Sequence, residues 1–116
     1  MTDPVAPPEQ DRRASARLPV EMWVEEITDR SQVFRRAGNL SKGGMYLDHT
    51  IPLPMGARVR LRFTLPGDDK SVTVAGEIVS VSTDQELGMG VKFVDMTPEV
   101  ASRIDAYIER VLSSDD

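Results

Sequence analysis

The sequence predicts a mainly-β fold: a small antiparallel barrel, closed or nearly closed on itself, followed by one C-terminal α-helix. Three features predict it. From Val20 onward, short apolar runs alternate with turns marked by Gly, Pro, Asn and Asp, the pattern of an all-β unit. Residues 58–65 alternate strictly, with Val59, Leu61, Phe63 and Leu65 in one phase and Arg58, Arg60, Arg62 and Thr64 in the other, as a strand with one buried face requires. After Thr97 the apolar spacing changes from that of a strand to that of a helix. Six strand-like runs at this spacing favour closure, which leaves few unpaired edges.

Taken in order, residues 1–11 hold Pro4, Pro7 and Pro8 and little to bury, so they read as a disordered leader. An arginine arm follows at 12–19. Its Pro19 disfavours helix at Leu18, so the arm is expected to be extended or turn-like, and mobile when nothing holds it. Residues 20–26 place Val20, Met22 and Val24 on one face and Glu21, Trp23 and Glu25 on the other. A more polar strand at 33–39 leads into a turn signal at 39–44, a short strand at 45–47 and a loop marked by Pro52, Pro54 and Gly56. After 58–65, the run Pro66-Gly67-Asp68-Asp69 reads as a hairpin turn into a long strand at 71–82. There Val72 and Val74 share a phase that Gly76 is expected to interrupt with a bulge. The last strand, 88–94, turns Met89, Val91 and Phe93 inward. The helix, 98–112, opens with Thr97 as N-cap, Pro98 at its first position and Glu99 in its first turn. Its stripe of Val100, Ile104, Ile108 and Val111, flanked by Tyr107 and Leu112, packs on the barrel, and 113–116 is a polar tail.

Composition narrows the function. The chain has 116 residues, one small domain's worth, and its 40% apolar and 28% charged residues are those of an ordinary globular protein. No run approaches the roughly 20 apolar residues that cross a bilayer, and no apolar stretch follows a positive flank at the N-terminus, so neither membrane insertion nor a secretory signal is expected and the cytoplasm is the default location. With no cysteine, disulfides and thiolate metal sites are excluded; with His49 as the single histidine, no metal site or cofactor is expected. A net charge of −5 argues against binding a nucleic acid polymer. The charge is unevenly spread, however: ten of the fourteen Lys and Arg residues lie at or before Arg62. A local basic face on an acidic protein fits one small anionic ligand, or else arginines that line the solvent side of strands.

Two constellations carry chemistry. Arg12, Arg13 and Arg17 stand together on the arm. A guanidinium fork pairs with phosphate oxygens or with the O6/N7 edge of guanine, and stacks on a purine face; a solvated basic arm is the plain alternative. Asn39 and Ser41 are two residues apart, so in an extended segment both project to one face, and Gly43 and Gly44 permit positive φ and a close approach of backbone to ligand. A simple β-turn uses the same residue types.

In that order and about twenty positions apart, these residues resemble the PilZ domain, the bacterial module that binds cyclic di-GMP. The family pattern is Arg-Arg-x-x-x-Arg before the first strand and Asp/Asn-x-Ser-x-x-Gly at a later turn; Arg12, Arg13 and Arg17 match the first part, and Asn39, Ser41 and Gly44 the second. The resemblance extends through NLSKGGMYL at 39–47, residues 52–56, GMGVKFV at 88–94 and the final helix, nearly the whole chain. It implies a six-stranded antiparallel split barrel with a C-terminal helix, here expected as a standalone module over 12–112. It also implies that Arg13 and Arg17 clamp guanine edges and cyclic phosphates and that Arg12 adds charge or stacking. Asn39 and Ser41 would hydrogen-bond one guanine, and Gly44, with Gly43 beside it, would keep the surface open.

The function so implied is that of a cyclic di-GMP receptor that orders its arginine arm over the barrel and signals to a protein partner in motility or another second-messenger response. The alternative is an adaptor of the same family that docks on its partner without the nucleotide. An oligonucleotide-binding barrel is disfavoured by the net charge of −5 and by the lack of an aromatic platform on one strand face. An enzyme is the least favoured reading. His49 has no evident nucleophile or carboxylate partner set, Asp68, Asp69, Asp115 and Asp116 read as solubility features, and Arg58, Arg60 and Arg62 either extend the basic face or are simply solvated.

Overall fold

Residues 17–83 and 86–114 are described by the structure, a computed structural model. Six strands, β1 (Leu18–Ile27), β2 (Gln32–Ser41), β3 (Gly44–Asp48), β4 (Arg58–Phe63), β5 (Val72–Ser82) and β6 (Gly88–Val94), precede one helix, α1 (Pro98–Ser114). Every pairing is antiparallel, and the ring closes in the order β1-β2-β3-β6-β5-β4. The leader at 1–11 and the arm residues before Arg17 lie outside the described residues, as do Asp115 and Asp116.

Inward-facing residues from all six strands fill the barrel, among them Val24, Leu40, Leu47, Leu61, Ile78 and Met89, each at most 1% exposed. Each such aliphatic side chain contributes roughly 1.5–3 kcal/mol relative to exposure. Because strand directions alternate, the β2–β3 turn, the β4–β5 turn and the exit of β6 share one end of the barrel. Helix α1 closes that end with Ile104 and Ile108 fully buried, while Val100, Tyr107, Val111 and Leu112 pack around them. The helix begins as the sequence predicts: the Val100 amide donates to Thr97 Oγ1 at 3.2 Å. It continues two residues past Leu112, taking in the start of the expected tail.

At the opposite end lies a polar fastening with no precedent in the sequence reading. Glu26 keeps the inward phase of Met22 and Val24 and is 1% exposed. Such a carboxylate needs a cation, and Arg35 supplies it, donating to Glu26 Oε1 and to Thr50 Oγ1 as well as to the Ile51 carbonyl at 3.3 Å. The β3–β4 loop is thereby tied to β2. Glu25 faces outward as expected, but Arg62 covers it at 2.6 Å.

Three local expectations are corrected. β2 runs past the expected Asn39 to take in Leu40 and Ser41, so the turn proper is Lys42-Gly43. The inward phase of β5 runs unbroken through Gly76 to Ile78, and the bulge falls between Ile78 and Ser80. Asp68 is structural: its Oδ1 accepts from the Asp69 amide at 2.8 Å and its Oδ2 from Arg103 at 2.7 Å, which pins the β4–β5 turn to α1.

Candidate ligand-binding site

Arg17, where the described chain begins, stands beside the outer wall of the barrel. Its Nη1 donates to Asn39 Oδ1 at 3.1 Å, joining the arginine motif to the later one. Arg17, Ser41, Gly43 and Gly44 line a single hollow of about 330 Å³, completed by Val79, Val91 and Lys92. Two cations, Arg17 and Lys92, border it, and both are exposed. Val79 follows inward Ile78 in the alternation of β5 and so faces outward, where the ladder with β6 is irregular; it is 44% exposed while Ile78 is 1% exposed.

Within the hollow the side chains have distinct local duties. Ser41 is buried, and its Oγ donates to the Gly44 carbonyl at 3.2 Å, bracing the turn. Neither Gly43 nor Gly44 has positive φ; among the described glycines that conformation belongs to Gly56 and Gly67. Gly44 is needed for another reason. A Cβ there would lie 2.2 Å from the Val91 carbonyl oxygen, so a side chain would force β3 away from β6. Nothing lies within 4 Å of a Cβ added to Gly43. Lys42, between Ser41 and Gly43, reaches Glu109 of α1 at 3.0 Å, so the lip of the hollow is tied to the helix.

Of the residues expected in the site, Arg17, Asn39, Ser41, Gly43 and Gly44 come together, whereas Arg12 and Arg13 lie outside the described residues. Lys92 and Val79 were not expected; β6 reads only as a core strand, and the outward phase of β5 that carries Val79 follows from the inward Val72 and Val74, a signal the expected break at Gly76 obscured. Arg58, Arg60 and Arg62 do not extend this basic surface. They project from β4, three strands from β3 in either direction around the ring, and Arg58 and Arg62 face Glu77 and Glu25. A second departure concerns aromatics. Trp23 and Phe34, 67% and 65% exposed, lie on neighbouring strands and line one shallow hollow with Arg62. Among the described residues, no cluster of three or more His, Asp or Glu is placed to hold a metal, and no helix is long and apolar enough to cross a membrane.

A closed six-stranded barrel, plugged at one end by its C-terminal helix and bearing a cation-bordered hollow on its outer wall, defines a class of small β-barrel modules with a surface site. The chain belongs to the PilZ family, whose domain model matches residues 11–110. Among solved structures, the Bacillus subtilis inhibitor of motility, MotI/DgrA, superposes with a TM-score of 0.73 at 17% identity, covering 92% of this chain and 56% of that one. The PilZ domain of YcgR from Escherichia coli, solved with c-di-GMP, gives 0.69 at 18% identity over 89% of this chain and 93% of that one. The PilZ domain of CeSA from a cellulose-synthesizing bacterium gives 0.55 at 18% identity, covering 86% and 97% of the two chains. These likenesses bear on the fold. None of the curated proteins compared matches the sequence significantly.

Proposed function

We propose that this protein is a cyclic di-GMP receptor whose N-terminal arginine arm orders over the barrel when the nucleotide binds, and that the ordered arm is read by a protein partner. The observation that carries this reading is the convergence of Arg17, Ser41, Gly43 and Gly44 on one hollow, with Arg17 already bonded to Asn39. Family membership and the c-di-GMP found with the YcgR domain support the choice of ligand.

The chemistry suits a diguanylate. Arg17 and Lys92 offer charge to the phosphates, and a guanidinium pairs bidentately with a guanine edge or a phosphate. The Asn39 amide and the Ser41 hydroxyl offer both donors and acceptors to a base. Arg12 and Arg13, five and four positions before Arg17, would close from the arm. Ordering that arm costs about 1–2 kcal/mol per residue in backbone entropy, so charge-assisted bonds must offset it. For the partner, exposed Trp23 and Phe34 beside Arg62 supply the residue types in which protein interfaces are enriched. The motility function in the name of the Bacillus protein is consistent with such an output.

The deciding experiment is isothermal titration of the full chain with cyclic di-GMP, alongside Arg13→Ala. Saturable binding that the variant weakens at least tenfold supports the reading. Equal binding by both removes the arm from the mechanism, and no binding by the wild type removes the nucleotide.

A further inference from the structure

The outer wall carries a second hollow, to which neither motif points. It measures about 400 Å³ and is lined by Pro19, Val20, Glu21, Arg36, Gly38 and Asp48. Two register shifts converge on it, one in the β1–β2 ladder between Pro19 and Met22, the other in the β2–β3 ladder between Ala37 and Asn39. Gly38 is the residue of β2 that both irregularities share. Bulges of this kind re-aim side chains out of a regular sheet.

Asp48, outward on β3 after inward Leu47, faces the irregular stretch of β2. It lies across the backbone of Gly38, where an added Cβ would stand 2.1 Å from its Oδ2. Its Oδ1 is buried and has no hydrogen-bond partner among the described residues. The nearest cation, Arg36, holds its Nε 3.7 Å away, beyond hydrogen-bond reach, while its Nη2 faces Glu21 at 3.6 Å. A buried carboxylate oxygen without a donor is costly, and whatever relieves that cost must bring N–H or O–H groups. Next to it, Arg36 offers donors. An acceptor carboxylate beside a donor fork is the complement of guanine, which presents N1–H and the exocyclic amine on one side and O6 and N7 on the other. Adenine has no N1–H and carries an amine where guanine has O6, so it matches the pair poorly.

Position strengthens the argument. Along β2, Asn39 stands between Gly38, which lines this hollow, and Ser41, which lines the first; on the arm side, Pro19 lines this one and Arg17 the first. The Arg17–Asn39 bond therefore separates two adjacent recesses on one wall, and the ligand argued for above has two bases joined through phosphates. We propose that Asp48 and Arg36 form a second guanine seat, in which the Asp48 carboxylate accepts from N1–H and the exocyclic amine of the second base. This rests on the cyclic di-GMP reading.

The test is titration of the full chain, wild type and Asp48→Ala, with cyclic di-GMP and with its inosine analogue, cyclic di-IMP, which lacks the exocyclic amine. Asp48→Ala is expected to weaken cyclic di-GMP about tenfold or more, the range for a hydrogen bond to a charged group, and to weaken cyclic di-IMP markedly less. Asp48→Asn keeps the side chain's shape and supplies the same comparison should the alanine variant fail to fold; Gly38→Ala, which displaces the carboxylate, is expected to act in the same direction. Equal losses with both ligands, or no loss with either, overturn the seat while leaving the receptor intact. A wild type that binds neither ligand overturns the receptor and the seat together.

Discussion

Arg17 and Asn39, 22 residues apart in the chain, are joined by a 3.1 Å hydrogen bond from Nη1 to Oδ1. The bond anchors the base of the arginine arm against β2 at the lip of the hollow that Ser41 and Gly44 line. Because the two side chains share one interaction, their effects on binding must couple. Arg17→Ala and Asn39→Ala are each expected to weaken cyclic di-GMP by about tenfold, and the double variant by less than the product, since neighbours in one network are not additive. Calorimetric titration of the four proteins gives the coupling; strict additivity would mean the bond plays no part in the bound state.

The fastening at the far end of the barrel predicts a large effect far from the ligand. Removing Arg35 leaves Glu26, 1% exposed, without its cation. Arg35→Ala is therefore expected to cost about 3–5 kcal/mol, the usual penalty for stranding a buried charge. Arg58→Ala, which breaks only the exposed 3.7 Å pair with Glu77, should cost less than about 1 kcal/mol. Urea denaturation distinguishes the two, and comparable values would refute the burial argument.

Helix α1 makes a third case. Ile104 is fully buried between the helix and the barrel end, so Ile104→Ala should destabilise by about 2–5 kcal/mol through lost burial and the cavity left behind. Thr97→Ala removes one cap bond to the Val100 amide and should cost about 1 kcal/mol. Thermal melts followed by circular dichroism rank the two; a larger loss from the cap would contradict the packing described.

Acid stability is expected to depend partly on Asp68. The hydrogen bond from Arg103 holds its carboxyl below the ordinary value of 3.8, aided by the amides of Lys70 and Asp69 and opposed by desolvation. A carboxyl lowered on folding stabilises the folded state fully above its unfolded value, and that contribution fades as pH falls through the lowered one. The wild type should thus lose thermal stability as pH drops below 3.8, and Asp68→Asn should show a shallower loss over that window. Parallel profiles of midpoint against pH would remove Asp68 from the account.

Much of this was legible in the sequence. Strand period is a local property, and the alternation at 58–65 and the inward Met89, Val91 and Phe93 appear in the structure as read. The cap at Thr97 and the stripe through Ile104 and Ile108 follow equally from spacing. What misled the reading was residue type taken alone. Ser41 favours a turn but completes β2 beyond Asn39, because Leu40 before it is drawn into the core and cross-strand pairing carries the ladder to Ser41. Gly76 looks like a bulge, yet it keeps its register with Phe93 and Val59.

By itself, then, the sequence determined the elements, their inward faces, the closing helix and the two motifs, since each is encoded in neighbours a few positions apart. Only the tertiary structure decided which distant residues share a wall. Closure of the ring sets Arg17 beside Asn39 and brings Lys92 and the outward Val79 to the first hollow. It also places Arg58, Arg60 and Arg62 on the other side of the barrel and aims Asp48 across Gly38. Register and bulges arise from the pairing of whole strands around a shared core, and no short window of sequence carries that information.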